Sequence, residues 1–183
     1  IVPVAQHKPG VLEKARELQA QLAETYRVKL DDSAQSPGWK FSQYEMLGVP
    51  LRLEIGPKDI EAGKCVICRR DTREKVEVAL DQLAETVDAL LKQMQSDMLE
   101  KARKHVESHT YTATTREEFE EIFATKTGFV KAMWCGETSC EEAIKENMAV
   151  TSRCMPFHQE CLSDKCVYCG KPAKKMVYWG RAY

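Results

Sequence analysis

Excess charge of either sign is missing from this sequence: 27 Lys and Arg stand against 28 Asp and Glu, a formal net charge of −1. That balance argues against a chain that coats nucleic acid indiscriminately, because such binding draws its affinity from surplus Lys and Arg. Selective contact through a local patch stays open. No long apolar run occurs, which excludes a membrane span, and 43% apolar against 30% charged residues excludes a disordered polyelectrolyte. The opening Ile1 to Gly10 has no initiator Met, no charged n-region and no apolar h-region. It reads as neither a signal peptide nor a native start, so a fragment is expected. Repeats of solenoid period are absent. No Cys precedes Cys65, whereas six of the eight lie beyond position 130, which sets the last third apart chemically. The 183 residues fit one large domain or two small ones.

Periodicity then supplies the elements. Ile1 to Val4 reads as the end of a β-strand, and Val11, Ala15, Leu18, Leu22 and Tyr26 recur at helical spacing, predicting a helix from about Val11 to Thr25. The alternation in Tyr26 to Leu30 predicts a half-buried strand. After the Ser36-Pro37-Gly38 break, Trp39 to Leu47 reads as a short helix ended by Gly48. In the strand Pro50 to Gly56, Leu51, Leu53 and Ile55 are expected on a buried face, with Arg52 and Glu54 on the other. Lys64 to Arg69 and Glu74 to Val78 are read as strands around an Arg70-Asp71-Thr72 turn. From Ala79 to His109 there is no Pro or Gly, and Leu80, Leu83, Val87, Leu90, Leu91, Met94 and Met98 form an apolar stripe. One long amphipathic helix follows from this, with the Met as core filler and Glu100 to Ser108 as a polar bridge. Beyond it, Thr115 caps a helix through Phe123, Gly128 to Trp134 is a strand, Ser139 to Glu146 a helix, and Lys175 to Trp179 a last strand. The fold class is α/β, in three parts: 1–78, a connecting helix 79–110, and 111–183.

The cysteines carry a specific signal. Cys135-x4-Cys140 and Cys166-x2-Cys169 are two hooks 25 residues apart, the arrangement by which four thiolates close a tetrahedral zinc site. Four sulfur ligands leave no open position for water, so the expected zinc is structural. Cys154, His158 and Cys161 are rivals at less regular spacing, beside Glu160. Cys65-x2-Cys68 has redox spacing but lies in a strand-like run, where residues three apart point to opposite faces. Thiolate usage points to a reducing compartment, the cytoplasm, and no membrane association is expected.

One face of the early sheet is also expected to carry Glu45, Arg52, Glu54, Asp59, Arg69 and Arg70, interleaved with Trp39, Phe41 and Tyr44. Single surface charges are ordinary, but this set holds what single-stranded RNA needs. Carboxylates accept from guanine N1 and N2, guanidiniums donate to O6, N7 or phosphate, and aromatic rings stack. Lys165, Lys171, Lys174, Lys175 and Arg181 form a second basic cluster with no acidic residue after Asp164.

Three segments, Gly38-Trp39-Lys40-Phe41 followed by Glu45, Gly48 through Asp59, and Arg69-Arg70-Asp71, resemble the anticodon-binding domain of prolyl-tRNA synthetases of the archaeal and eukaryote-like type. The tail, with Thr151 to Phe157 and Gly180 to Tyr183, is similar to the C-terminal zinc-binding domain of that family. The resemblance implies a five-stranded mixed sheet with flanking helices, the long connecting helix, and a small α/β zinc domain. It also implies an enzyme that uses ATP and proline to form prolyl-adenylate and charge tRNA(Pro), with Glu45 and Arg52 at the positions that read the two anticodon guanines. Asp59, Arg69, Arg70 and Lys75 are further candidates for base or backbone contacts, while Trp39, Lys40 and Phe41 are candidates for structural roles. Tyr183 corresponds to a residue that reaches towards the catalytic domain. That domain and a second copy of the full-length enzyme are the expected protein partners, and no catalytic residue is expected in this stretch. A stand-alone zinc module binding RNA or protein is the alternative.

Overall fold

A computed structural model describes residues 1–182, so the expectation for Tyr183 lies outside the described residues. The chain divides into two compact units, Ile1–Glu100 and a second that begins at Lys101. Both are mixed α/β, each built on a four-stranded sheet. No helix among the described residues is long and apolar enough to cross a membrane.

The first unit orders its strands β1 (Val2–Pro3), β2 (Leu51–Ile55), β3 (Lys64–Arg69) and β4 (Lys75–Ala79), with β1 parallel to β2 and the other neighbours antiparallel. Helix α1 (Val11–Ala23) buries Val11, Ala15, Leu18 and Leu22, the stripe its spacing predicts. Three of them pack with Leu53, Ile55, Cys65, Ile67 and Val78 on one face of the sheet and with Leu83 and Val87 of α4 (Leu83–Ser108). Helix α2 (Pro37–Met46) starts two residues earlier than expected. The Ser36 hydroxyl accepts from the Trp39 N–H, and Pro37 takes the first turn, where its missing N–H costs nothing. The Ser-Pro pair that reads as a break is thus a helix start. A short helix α3 (Pro57–Glu61) follows β2 and was not expected.

The five-stranded sheet is not matched: four strands are described. Residues Tyr26 to Leu30 keep the alternating half-buried pattern but form no ladder. The Ile1 amine donates to Lys29 O at 2.7 Å and the Asp31 N–H to Ile1 O at 3.0 Å. One residue is too short a partner to define a strand pair.

In the second unit the order is β5 (Thr110–Thr112), β6 (Phe129–Trp134), β8 (Lys175–Arg181), β7 (Val150–Cys154), with β5 parallel to β6. Helices α5 (Arg116–Thr125) and α6 (Thr138–Met148) supply Phe119, Phe123 and Ile144 to a core shared with Val130, Ala132, Val150, Val177 and Trp179. Thr115 caps α5 as expected, within a capping box: its hydroxyl accepts from the Glu118 N–H while the Glu118 carboxylate accepts from the Thr115 N–H. β5 and β7 were not anticipated. Met94 is buried as core filler, but Met98 is 49% exposed, so the apolar stripe of α4 ends before it.

Candidate nucleic-acid face and metal centre

Strand alternation sorts the polar residues of the first unit. Arg52 pairs with Cys68, and Cys68 with Lys75, so these three point to one face, whereas Leu51 and Arg69 point to the other. Arg52 and Glu54 are on the face opposite the apolar core, as expected, yet they are buried rather than open, because α2 lies over them. The Arg52 guanidinium sits 3.9 Å from the Phe41 ring centroid. Its Nε and Nη2 donate to Glu54 Oε1 at 3.1 and 3.0 Å, and its Nη1 to Glu45 Oε1 at 2.9 Å. Lys75 Nζ donates to Glu54 Oε2 at 2.9 Å.

The result is an alternating array of Glu45, Arg52, Glu54 and Lys75. Burial works against the Arg52 charge, but the hydrogen bonds to Glu45 and Glu54 outweigh it and hold the guanidinium firmly protonated. The bond from Arg52 holds the Glu45 carboxyl below the usual carboxylate range. Among the described residues Glu45 Oε2 faces only Arg73, at 3.8 Å. It remains an acceptor within reach of a ligand, since the Glu45 side chain is 30% exposed.

The structure therefore brings together Glu45, Arg52 and Lys75, with Arg70 in the adjoining turn, but not Asp59 or Arg69. Arg69 lies on the core face, where it donates to both oxygens of Asp71, at 3.1 and 2.7 Å, and to Asp97 of α4 at 2.7 Å. Asp59 accepts from the Gly56 N–H at 2.7 Å and caps α3. Its charge acts on Cys65, another core-face residue. Arg70 stands in the turn after β3, its N–H donating to Pro50 O at 3.0 Å. Glu54, expected in the polar set of this sheet though not among the residues assigned to the anticodon, joins the array. Its signal was its place two residues after Arg52, on the same strand face. Lys40 is 1% exposed and donates to Asp31 O at 2.9 Å, beside the Asp31 carboxylate at 3.5 Å, so its role is structural. Cys65 and Cys68 point to opposite faces. Burial, helped by the Asp59 charge, pushes the Cys65 thiol up to about 11, which suits an inert side chain rather than a redox pair.

In the second unit both hooks fold onto one point. Cys135 follows β6, and Cys140 sits in the first turn of α6. The second hook is a tight turn closed by the Gly170 N–H to Cys166 O at 3.0 Å, with Gly170 at φ +71°. Backbone bonds tie the hooks together: the Val167 N–H donates to Met133 O at 2.9 Å and the Lys174 N–H to Trp134 O at 2.8 Å. The four sulfurs lie within 4.8 Å of one another, with Cys140 to Cys166 at 3.7 Å and Cys135 to Cys169 at 3.6 Å. A tetrahedral ion with metal–sulfur bonds of 2.3 Å has edges of about 3.8 Å, so the spacing fits a four-thiolate site. Burial and the neighbouring sulfur push the Cys140 thiol far up. Four thiolates can share this space only around a cation. Among the described residues no other such group could hold a metal: Cys154 and Cys161 are exposed, and Cys161 lies instead beside Ser163 O and Asp164.

Comparison with known proteins agrees with both halves. Residues 1–90 match the family described as anticodon binding domain, and residues 116–183 the one described as prolyl-tRNA synthetase, C-terminal. Proteins named proline–tRNA ligase from Clostridium novyi, Clostridium botulinum and Ruminiclostridium cellulolyticum are each 60% identical to the chain over all 183 of its residues. The chain spans 38% of the length of these relatives.

Proposed function

The chain belongs to the prolyl-tRNA synthetase family, and from that premise we propose that it is the tRNA-recognition and metal-stabilised portion of a proline–tRNA ligase. The longer enzyme uses ATP and proline to make prolyl-adenylate and passes proline to tRNA(Pro). On this reading the chemistry on ATP and proline belongs to the part of the enzyme outside the 38% that this chain spans. The single observation behind this reading is the array Glu45–Arg52–Glu54–Lys75 against Phe41. Glu45 Oε2 accepts from guanine N1 and N2, and the second N–H of Arg52 Nη1 or Nη2, beyond those given to Glu45 and Glu54, is the donor for O6 or N7. Because each carboxylate already holds its cation in place, the donors and acceptors are fixed before RNA arrives, which lowers the entropy cost of binding. Lys75 orients Glu54. Asp59 and Arg69 support the fold behind this face.

Cys135, Cys140, Cys166 and Cys169 hold zinc, which supplies a rigid crosslink between the two hooks. The three-part division 1–78, 79–110 and 111–183 is the functional one: anticodon module, connector, zinc module. The five-stranded sheet expected of the anticodon module would take Tyr26 to Leu30, which forms no ladder among the described residues, as its fifth strand in the longer enzyme. In support, Ile1 is hydrogen-bonded alongside it, and a cavity of about 210 Å³ lies between that stretch and Pro50 to Leu53. Eight cysteines, four assigned to the metal and none in a disulfide among the described residues, suit the reducing cytoplasm. Partners are tRNA(Pro), the catalytic domain of the same enzyme, and a second copy in a homodimer.

The test is discrimination. Glu45→Ala and Arg52→Ala in the longer enzyme are expected to weaken preference for anticodon guanines by about 1–3 kcal/mol each. Unchanged charging of guanine-substituted tRNA relative to normal tRNA, in both variants, would refute the assignment.

A further inference from the structure

Two adjacent arginines meet opposite fates at the end of β3. Arg69 is saturated by Asp71 and Asp97 on the core face. Arg70, one residue on, stands in the turn just past the end of β3, the turn from which Arg73 reaches Glu45 of the face that carries Arg52, Cys68 and Lys75. Its Nε is buried and has no hydrogen-bond partner, and among the described residues no carboxylate pairs with its guanidinium. The other cations of this face are each engaged: Arg52 with Glu45 and Glu54, Lys75 with Glu54, and Arg73 with Glu45 at 3.8 Å. A guanidinium cannot shed its proton to escape this situation. The uncompensated positive charge is therefore a standing feature of the turn.

The same turn aims a second cation outward. Arg73 takes φ +62°, a left-handed conformation rare for a side-chain-bearing residue, and its side chain is 80% exposed. The Arg70 N–H to Pro50 O and Arg73 N–H to Arg69 O bonds, 3.0 and 2.9 Å, hold both ends of the turn. Arg70 thus stands on a fixed backbone beside the Glu45–Arg52 array, with donors and no acceptor.

We propose that the β3–β4 turn is a phosphate subsite, in which Arg70, with Arg73 beside it, holds a backbone phosphate of the single-stranded RNA whose bases meet Glu45 and Arg52. This rests on the RNA reading above and adds a division of labour. The paired array reads base edges, where a carboxylate must stand next to a cation. The unpaired arginine meets phosphate, where a nearby carboxylate would repel. The planar fork of Arg suits two phosphate oxygens at once.

The experiment measures binding of the zinc-loaded 183-residue chain to a stem-loop RNA with two adjacent loop guanines, and to the same RNA with both guanines replaced by adenine. Each is titrated from 50 to 300 mM salt. For Arg70→Gln the expected result is an equal loss of affinity, about 5- to 10-fold, for both RNAs, and a slope of log affinity against log salt shallower by about 0.7. Arg70→Lys should keep the wild-type slope, because it keeps the charge. A wild-type slope in Arg70→Gln, a loss confined to the guanine RNA, or loss of the fold in that variant would each overturn the proposal. Failure of the wild-type chain to bind either RNA would instead overturn the RNA reading beneath it.

Discussion

Chelation of the metal should unfold the second unit and spare the first. Cys135, Cys140 and Cys166 are 1%, 7% and 3% exposed, and they belong to the same core as Phe119, Ile144 and Trp179. The site is therefore inside the packing of this unit. A domain of roughly 80 residues is stable by about 4–12 kcal/mol. Structural zinc with thiolate ligands is bound with an apparent free energy of about 10–16 kcal/mol at neutral pH, and even a thousandfold excess over its dissociation constant adds about 4 kcal/mol to the folded state. Removing it takes away a quantity comparable to the whole stability of the unit. The tryptophans report the event. Trp134 and Trp179 stand edge to face in this core with ring centroids 6.3 Å apart, whereas Trp39 of the first unit is already 49% exposed. Treating the zinc-loaded chain with a strong chelator under reducing conditions should red-shift the emission and strip hydrogen-exchange protection from 129–134 and 175–181. Protection in 51–55 and 64–69 should persist. The reasoning is wrong if the metal leaves stoichiometrically while 129–134 and 175–181 stay protected, or if Cys166→Ser binds zinc as tightly as the unaltered chain.

Two further perturbations follow from single contacts. Gly128 has φ +133°, and a Cβ there would stand 2.1 Å from His109 O, the oxygen that accepts from the Phe129 N–H. Gly128→Ala should cost at least about 3 kcal/mol in urea unfolding of the second unit, and a cost below 1 kcal/mol would contradict the close approach. Arg69→Met removes the partner of Asp71 and Asp97, whose carboxyls Arg69 holds below the usual range through its hydrogen bonds. A depressed carboxyl pKa gives stability that is present above the unfolded value, near 3.9, and is lost as pH falls through the folded value. The gap in urea midpoint between Arg69→Met and the unaltered chain should therefore be wide at pH 7 and narrow towards pH 3, and a gap independent of pH would refute the pairing.

Local pattern carried the elements whose character is set by neighbours in sequence. The α1 stripe, the alternation of β2 and β3, the Thr115 cap and the two cysteine hooks all stand where spacing placed them. The elements that escaped are those made by partners. β5 and β7 are three and five residues long and exist because β6 and β8 offer them edges. Tyr26 to Leu30 has the alternation of a strand, yet only Ile1 lies hydrogen-bonded alongside it.

The candidate RNA face divides along the same line. Residue type pointed correctly to carboxylates next to guanidiniums, and the two-residue step from Arg52 to Glu54 put both on one face. The fate of each cation, however, depends on carboxylates brought in from afar. Asp97 lies 28 residues beyond Arg69 and reaches it only because α4 packs across the core face. Arg69 and Arg70 are the same residue type in the same run, yet the last strand position faces Asp71 and Asp97 while the first turn position meets no carboxylate among the described residues. Counting charges in sequence could give the neutral sum of this region. Only the folded turn shows which positive charge is left over, and a leftover charge on a fixed turn is where an anionic ligand finds the least competition.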